Sequence, residues 1–177
     1  MLVEGESDWA ALERLAARRA RDLTADAVSV VAMGGSKNIP TFLERYVSAG
    51  VAVAGMCDAA EEGDFRRGLE RVGLGVNLTR AEMEELGFFV CDRDLEDELI
   101  RALGASRVQK VLEAEGELAV FRTFQRQPEW RFQPVEEQLH RFIGTKSGRK
   151  LRAATALVEA LDLDRVPRPL EGVLAAV

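Results

Sequence analysis

The chain begins with Met1-Leu2-Val3-Glu4-Gly5-Glu6-Ser7-Asp8, a short apolar run followed by a glycine and three acids. The apolar run predicts the end of a strand, Gly5 predicts a tight turn, and Ser7 predicts the N-cap of an amphipathic helix that runs to about Asp22. Acids are favourable in the first turn of a helix, so capping alone can explain them. Glu4, however, falls at the carboxyl end of the predicted strand, where open α/β sheets bind ligands.

Strands and helices are predicted to alternate through the first hundred residues. Three more apolar runs predict strands at residues 27–33, 51–57 and 88–91, and amphipathic segments predict helices at 39–49, 61–72, 79–87 and 95–103. Such alternation implies a parallel sheet covered on both faces. We therefore predict an α/β fold with a four-stranded parallel sheet over residues 1–104. Helices at 108–112, 118–124, 136–143 and 150–161 predict a helical extension, residues 105–177, packed on that core.

Composition narrows the class of protein. The chain has 177 residues and a net charge of −6, which argues against broad coating of nucleic acid but leaves room for a local basic groove. Cys57 and Cys91 end apolar strands and are expected to be buried free thiols in a reducing cytoplasm. Two cysteines and His140 do not make a zinc site at these spacings, and a single histidine on a helix is usually structural. We see no signal peptide and no apolar run long enough for a membrane span.

Acids also follow two later strands. Asp58 ends the third predicted strand, and Asp94-Leu95-Glu96 follows the fourth. Carboxyl ends of parallel strands meet at one edge of a sheet, and Mg²⁺ prefers carboxylate oxygens. Two such ions about 4 Å apart can activate a water and stabilise a leaving oxygen in phosphodiester hydrolysis. Asp8 lies one helical turn beyond Glu4 and can face the same edge. The lysine that would offset phosphate charge is Lys150 or Lys146.

These residues resemble a TOPRIM domain, and most closely the nuclease domain of the overcoming-lysogenization-defect (OLD) family. The resemblance is carried by the VEG-x-[ST]-[DE] pattern at residues 3–8, the Gly-rich turn into Asn-Ile at 34–39, the acid at Asp58, the Asp-Leu-Glu segment at 94–96 and the lysine that opens a late helix at Lys150. It covers most of the chain and weakens beyond residue 130.

The resemblance implies a nuclease that nicks and cleaves DNA with two Mg²⁺ or Mn²⁺ ions. Glu4 and Asp58 would be metal ligands and catalytic residues, Asp8 and Glu96 would complete the two sites, and Lys150 would stabilise charge. TOPRIM proteins often have Asp-x-Asp after the third strand, whereas here the segment is Asp58-Ala59-Ala60-Glu61. Either Glu61 or Glu62 would then have to supply the missing ligand, or the ligand is lost.

Some assignments stay open. Asp94 is either a metal ligand or the cap of the helix that follows, whereas Glu6, Glu62 and Asp97 are expected to be solvated. Gly34-Gly35 is expected to be a turn, with phosphate contact through Lys37 as the minority interpretation. Arginines and aromatics alternate over residues 121–132. They would form a nucleic-acid surface or, on the favoured interpretation, the core between the extension and the sheet.

The partners and the activity also have alternatives. OLD family members commonly carry an ATPase domain, but this chain has no Gly-x-x-x-x-Gly-Lys-[Ser/Thr] phosphate loop, so any ATPase would be a separate chain, or this sequence is an excised fragment. The main alternative is a catalytically silent, metal-binding TOPRIM module that recruits such a partner. Another phosphoryl-transfer enzyme, such as a nucleotide phosphatase, is a third hypothesis. A homodimer is compatible with the sequence.

Overall fold

The sheet of the computed structural model, which describes residues 1–145 and 147–177, has four parallel strands in the order β2-β1-β3-β4. The strands are β1 Leu2–Val3, β2 Val31–Ala32, β3 Gly55–Cys57 and β4 Phe88–Val90. Their short register (Leu2 opposite Val31 and Gly55, and Met56 opposite Phe89) brings all four carboxyl ends to one edge. The predicted α/β fold with a four-stranded parallel sheet is confirmed.

Ten helices are seen in the described part of the chain. They are α1 Glu6–Arg18, α2 Ile39–Ser48, α3 Glu62–Arg71, α4 Arg80–Glu85, α5 Leu95–Leu103, α6 Ala105–Ala114, α7 Leu118–Gln125, α8 Val135–Gly144, α9 Ser147–Ala160 and α10 Arg168–Ala175. Short 3-10 turns are found at Ser36–Asn38, Ala59–Glu61 and Leu163–Arg165. No helix in residues 1–145 or 147–177 is both long and apolar enough to cross a membrane.

Several elements differ from the prediction, and three of the differences have a clear physical reason. Helix α1 ends at Arg18, four residues early, and Ala20 takes a left-handed conformation with φ 54°. The run at 27–33 forms a strand only at its end, since Ala27 also has a positive φ of 57° and breaks the extended backbone. Helix α10 was not predicted, because Pro169 suggests a break. Here the proline lies in the first turn, where its missing N–H costs nothing.

Two apolar cores flank the sheet. Alternate residues of each strand point to opposite faces, so Val3 and Met56 join one core while Leu2 and Cys57 join the other. The second core is closed by α2, α3 and α4. The first is larger and contains residues of α1, α5 and every helix from α6 to α10. The C-terminal helices therefore cover one face of the sheet, and Leu157 shares a core with Leu12.

Gly55 allows β3 to lie close to its neighbours. A Cβ built on this residue would lie 2.9 Å from the Leu2 carbonyl oxygen and 2.9 Å from the Phe88 ring. Gly172 plays the same part in α10, where a Cβ would come within 2.3 Å of the Phe89 ring. These two contacts set how near β1, β4 and the last helix approach the central strand, whose end carries Asp58.

Candidate metal centre

Three carboxylates meet at the carboxyl edge of the sheet. Glu4 follows β1, Asp58 follows β3, and Glu61 ends the 3-10 turn after Asp58. One carboxylate oxygen from each lies within 4.8 Å of the others. Oxygens at this spacing can share one ion, so the geometry suits a hard divalent cation. Glu61, and not Glu62, is therefore the acid after Asp58 that joins this group.

The backbone of Glu4 is held by the glycine pair after β2. The N–H groups of Gly34 and Gly35 donate to the Glu4 carbonyl oxygen at 3.0 and 3.1 Å. Gly35 has φ 121°, a conformation that L side chains rarely adopt, so a glycine is needed for this double contact. The pair is indeed a turn, and it also positions Glu4. Lys37, the residue of the minority phosphate interpretation, is exposed and pairs with Asp64 at 3.0 Å.

The side chain of Glu4 is half-buried, and one of its two carboxylate oxygens lacks a hydrogen-bond partner among the described residues. Its Oε2 atom is buried and has no hydrogen-bond partner within the described residues. Burial raises the pKa of Glu4 above its usual value, and the nearby Glu61 and Asp8 raise it further. An unpartnered carboxylate oxygen among other acids is what a cation would neutralise, so the residues present fit a divalent metal.

Asp58 is the centre of the acidic cluster. Burial raises its pKa to about 8, with a further contribution from Asp8. The backbone after Asp58 is tied to the end of β4, because Ala59 N–H donates to the Arg93 carbonyl oxygen at 3.0 Å. This contact brings the ends of β3 and β4, and hence their acids, to one rim. A strongly perturbed carboxyl in such a place is typical of a functional site.

A second group of buried charges lies beside Asp58. Asp8 is 7% exposed and Glu96 is 3% exposed, and burial raises the pKa of both. One Asp8 oxygen accepts the Gly5 N–H at 3.0 Å, so Asp8 also caps α1. Lys150 Nζ lies 3.1 Å from Glu96 Oε2, whereas Glu96 Oε1 is buried with no partner among the described residues. Neither Asp8 nor Glu96 is part of the group of three carboxylates formed by Glu4, Asp58 and Glu61.

Lys150 reaches this group from the first turn of α9. Helix α9 packs against α1, which carries Asp8, and against α5, which carries Glu96. Burial tends to lower the pKa of Lys150, but Glu96 outweighs it and the pKa is raised, so the ammonium is charged. Lys146, the alternative from the sequence, lies outside the described residues.

Asp94 is engaged by protein groups on both oxygens. Its Oδ1 accepts the Asp97 N–H at 2.9 Å as the N-cap of α5, and its Oδ2 lies 2.6 Å from His140 Nε2. Burial tends to raise the pKa of Asp94, but the His140 and backbone hydrogen bonds hold it below the usual value. The same hydrogen bond raises the pKa of His140. Asp94 therefore lies at the rim, and its observed contacts are those of a cap.

His140 was not singled out as a site residue by the sequence. It lies on α8, and Glu137 one turn earlier pairs with Arg93 at 3.0 Å. Helix α8 therefore leans over the end of β4 at the rim of the acidic cluster. No spacing rule connects residues 94 and 140, so only the tertiary contact between α5 and α8 brings them together.

In the segment at 121–132, some aromatic side chains are part of the core and one is exposed to solvent. Phe121 and Phe124 are buried and contact Phe142 edge-on and at a tilt, so these two aromatics are core. Trp130 is half-buried against Phe124, with ring centroids 5.3 Å apart. Phe132, by contrast, is 83% exposed.

Comparison with known proteins shows which family of domains the first third of the chain resembles. Residues 1–59 match the family model described as "Overcoming lysogenization defect protein-like, TOPRIM domain". The matched residues include Glu4, Asp8 and Asp58. The resemblance to OLD-family TOPRIM domains is thus confirmed for the first third of the chain. TOPRIM domains bind divalent metals, which agrees with the acidic cluster.

Solved structures extend the likeness in fold to nearly the whole chain. The C-terminal region of the Xanthomonas campestris pv. campestris OLD protein aligns with a TM-score of 0.75 and 22% identity, covering 99% of this chain and 89% of that chain. The C-terminal region of the Burkholderia pseudomallei OLD protein aligns with a TM-score of 0.71 and 20% identity, covering 99% and 94%. The helical half is therefore part of the same fold. A search of functionally curated proteins gave no significant match.

Proposed function

We propose that this protein is a metal-dependent nuclease that hydrolyses phosphodiester bonds of DNA with two divalent ions, Mg²⁺ or Mn²⁺. The observation that carries the proposal is the convergence of Glu4, Asp58 and Glu61 within 4.8 Å at the carboxyl edge of the sheet. The OLD-like TOPRIM match over these strands supports the reaction class. A purely structural role does not account for burying carboxylates that lack partners.

The acids divide into two candidate ligand sets around Asp58. Glu4, Asp58 and Glu61 would hold one ion, and Asp8 and Glu96 would complete the second with Asp58. When bound, two such ions supply an activated water and stabilise the leaving oxygen. The chain's own task is to hold these oxygens in place, and the Gly34 and Gly35 contacts do this for the backbone of Glu4.

Lys150 would act on the phosphate. Its ammonium faces Glu96 at 3.1 Å and lies near enough to Asp58 and Asp8 to influence them. Once the acids bind cations, the ammonium no longer serves as their main counter-charge. It would then offset the negative charge that develops on the phosphate in the transition state.

Nicking of supercoiled plasmid tests the proposal. We expect the wild type to nick with Mg²⁺ or Mn²⁺, and Glu4→Gln or Asp58→Ala to lose about 100-fold or more, because a lost ligand removes several kcal/mol of transition-state stabilisation. Glu6→Gln is the matched control, since Glu6 is an exposed acid two residues from Glu4. Equal nicking by wild type and Asp58→Ala would show that the assigned site is wrong.

Calorimetric titration with Mg²⁺ separates the alternatives. Metal binding without nicking of any DNA tested would support the silent TOPRIM module, whereas turnover of a nucleotide in place of DNA would point to a phosphatase. A separate ATPase partner and a homodimer remain predictions, and co-purification and sedimentation would test them.

A further inference from the structure

One exposed aromatic stands out in the segment between α7 and α8. Phe132 lies in this segment, residues 126–134, which we call the α7–α8 tip. Its side chain is 83% exposed, and the Arg131 guanidinium carbon lies 4.6 Å from the ring centroid. The ring face and the adjacent guanidinium are both groups on which a planar base can stack.

Hydrogen bonds from Gln138 on α8 hold the backbone of the tip. Gln138 is only 5% exposed, and its amide donates to the carbonyl oxygens of Trp130 at 2.7 Å and Gln133 at 3.0 Å. These two carbonyls flank Arg131 and Phe132, so one buried side chain clamps both ends of the exposed dipeptide. Gln125 in turn donates to Gln138 at 2.6 Å, which fixes the clamp to α7. Phe132 is therefore displayed in a fixed position.

The charge of the tip is suited to an anion. Arg126 and Arg131 are exposed, and within the described ranges neither lies in a salt bridge. The tip also contains one exposed acid, Glu129. This contrasts with the rest of a chain whose net charge is −6, where most arginines are paired. An aromatic ring with unpaired arginines is the combination that binds single-stranded nucleic acid, through base stacking and phosphate contacts.

Helix α8 connects the tip to the acidic cluster. His140 on α8 contacts Asp94 at 2.6 Å and lies eight residues after Phe132. Gln138, which holds the tip, lies on the same helix two residues before His140.

We propose that Phe132, together with Arg131, is a stacking platform for an unpaired nucleobase. The substrate class is thus a single strand, or a duplex with a frayed or overhanging end, because a base inside a duplex does not expose its face to the ring. The proposal rests on the proposed nuclease function for the platform's use in binding substrate, but the platform itself is tested by binding alone.

Binding of a fluorescein-labelled 20-nucleotide single strand, measured by anisotropy in EDTA and again in Ca²⁺, tests the platform. We expect Phe132→Ala to weaken binding about 10-fold and Phe132→Trp to restore it. Arg131→Gln should weaken binding and reduce its salt dependence. Val76→Ala is the matched control, because Val76 is also 83% exposed but lies between α3 and α4. A strand carrying 2-aminopurine should show quenched fluorescence with the wild type and recover with Phe132→Ala.

Two results would overturn the platform: binding by Phe132→Ala that equals the wild type, or 2-aminopurine fluorescence that does not respond to Phe132. Either would leave the tip as a surface for a protein partner instead. Hydrolysis of bis(p-nitrophenyl) phosphate keeps this failure distinct from a failure of the nuclease proposal. That small diester has no base, so Phe132→Ala should hydrolyse it as the wild type does. If the diester and DNA are both uncleaved while Phe132 still controls strand binding, the nuclease proposal fails and the platform stands.

Discussion

Replacing Asp58 by asparagine should make the metal-free protein more stable at neutral pH while removing its response to metal. In the folded chain the pKa of Asp58 is raised to about 8 from an ordinary value of 3.8, chiefly by burial. Between these two pH values the folded state keeps the proton and the unfolded state releases it. Stability of the metal-free wild type therefore falls as pH rises from about 4 to about 8, and is restored as pH falls.

The magnitude follows from the pKa difference. At pH 7.5 a raised pKa of about 8 corresponds to at most about 5 kcal/mol of unfavourable free energy, at 1.36 kcal/mol for each pKa unit. Water reaches the rim, and the neighbouring carboxylates share the titration, so the measured gain should be smaller. We expect Asp58→Asn to raise the free energy of unfolding by about 1 to 3 kcal/mol at pH 7.5 in EDTA, and by much less at pH 4.5.

Metal should stabilise the wild type more than the Asp58→Asn variant. An ion that binds only the folded state stabilises it by about 2.7 kcal/mol at a concentration 100 times its Kd. The wild type should gain this stability in Mg²⁺, and the gain should grow with pH as the carboxyls lose their protons. Asp58→Asn lacks a ligand and should gain little.

Urea denaturation followed by circular dichroism at pH 4.5, 6 and 7.5, in EDTA and in Mg²⁺, measures all of these effects. Asp92→Asn is the matched control, since Asp92 follows β4 but is exposed and paired with Arg101 at 3.0 Å. It should respond to Mg²⁺ as the wild type does. The reasoning is refuted if Asp58→Asn is no more stable than the wild type at pH 7.5 in EDTA, or if Mg²⁺ stabilises the two equally.

Three further predictions concern the sheet, the lysine and the histidine. Gly55→Ala should destabilise by about 2 kcal/mol in urea denaturation, because its Cβ meets backbone at 2.9 Å, whereas Gly144→Ala, whose Cβ meets nothing within 4 Å, should be neutral or stabilising. Lys150→Met should move the pH–rate profile to higher pH, because Glu96 loses the cation that lowers its pKa; an unchanged profile would contradict the pairing. His140→Gln should destabilise the protein more at pH 6 than at pH 9. The raised pKa of His140 adds stability that is present below pH 6.5 and is lost as pH rises through the pKa of the folded state. An equal loss of stability at pH 6 and pH 9 would refute this prediction.

The sequence predicts the sheet and two of its acidic ends because both depend on local signals. Apolar runs of three to seven residues place the strands, and Glu4 and Asp58 follow them directly. The Thr79-Glu82 capping box is another local signal, and the structure shows both of its hydrogen bonds, with Thr79 N–H donating to Glu82 at 2.7 Å. Parallel pairing then brings the strand ends together without further information.

Features that depend on tertiary packing could not be predicted in the same way. The pairing of His140 with Asp94 requires α8 to cross the end of β4, and residues 46 apart in the chain carry no periodicity that connects them. Helix α10 was missed because a proline weighs against a helix unless its place in the first turn is known. The clamp of Gln138 on Trp130 and Gln133 is equally hidden, since glutamine on a helix is usually exposed.

The predicted division of the chain at residue 104 puts Lys150 and Glu96 in different parts of the chain, although the two side chains are paired. The pattern change after Gly104 predicts a separate helical extension, and that division stays a prediction about folding units. In the structure the helices after residue 104 share one core with α1 and α5 and cover a face of the sheet. They also deliver the ammonium that faces Glu96.

The energetics of the acidic cluster favour a functional over a structural explanation. Five acids, Glu4, Asp8, Asp58, Glu61 and Glu96, crowd one edge, and Lys150 pairs directly with only one of them, Glu96. Burial raises the pKa of four of the five, so each disfavours the folded, charged state. Stability alone would replace such residues with apolar or exposed ones. Their retention, with two buried oxygens lacking partners, is explained if divalent cations supply the missing charge during phosphodiester hydrolysis.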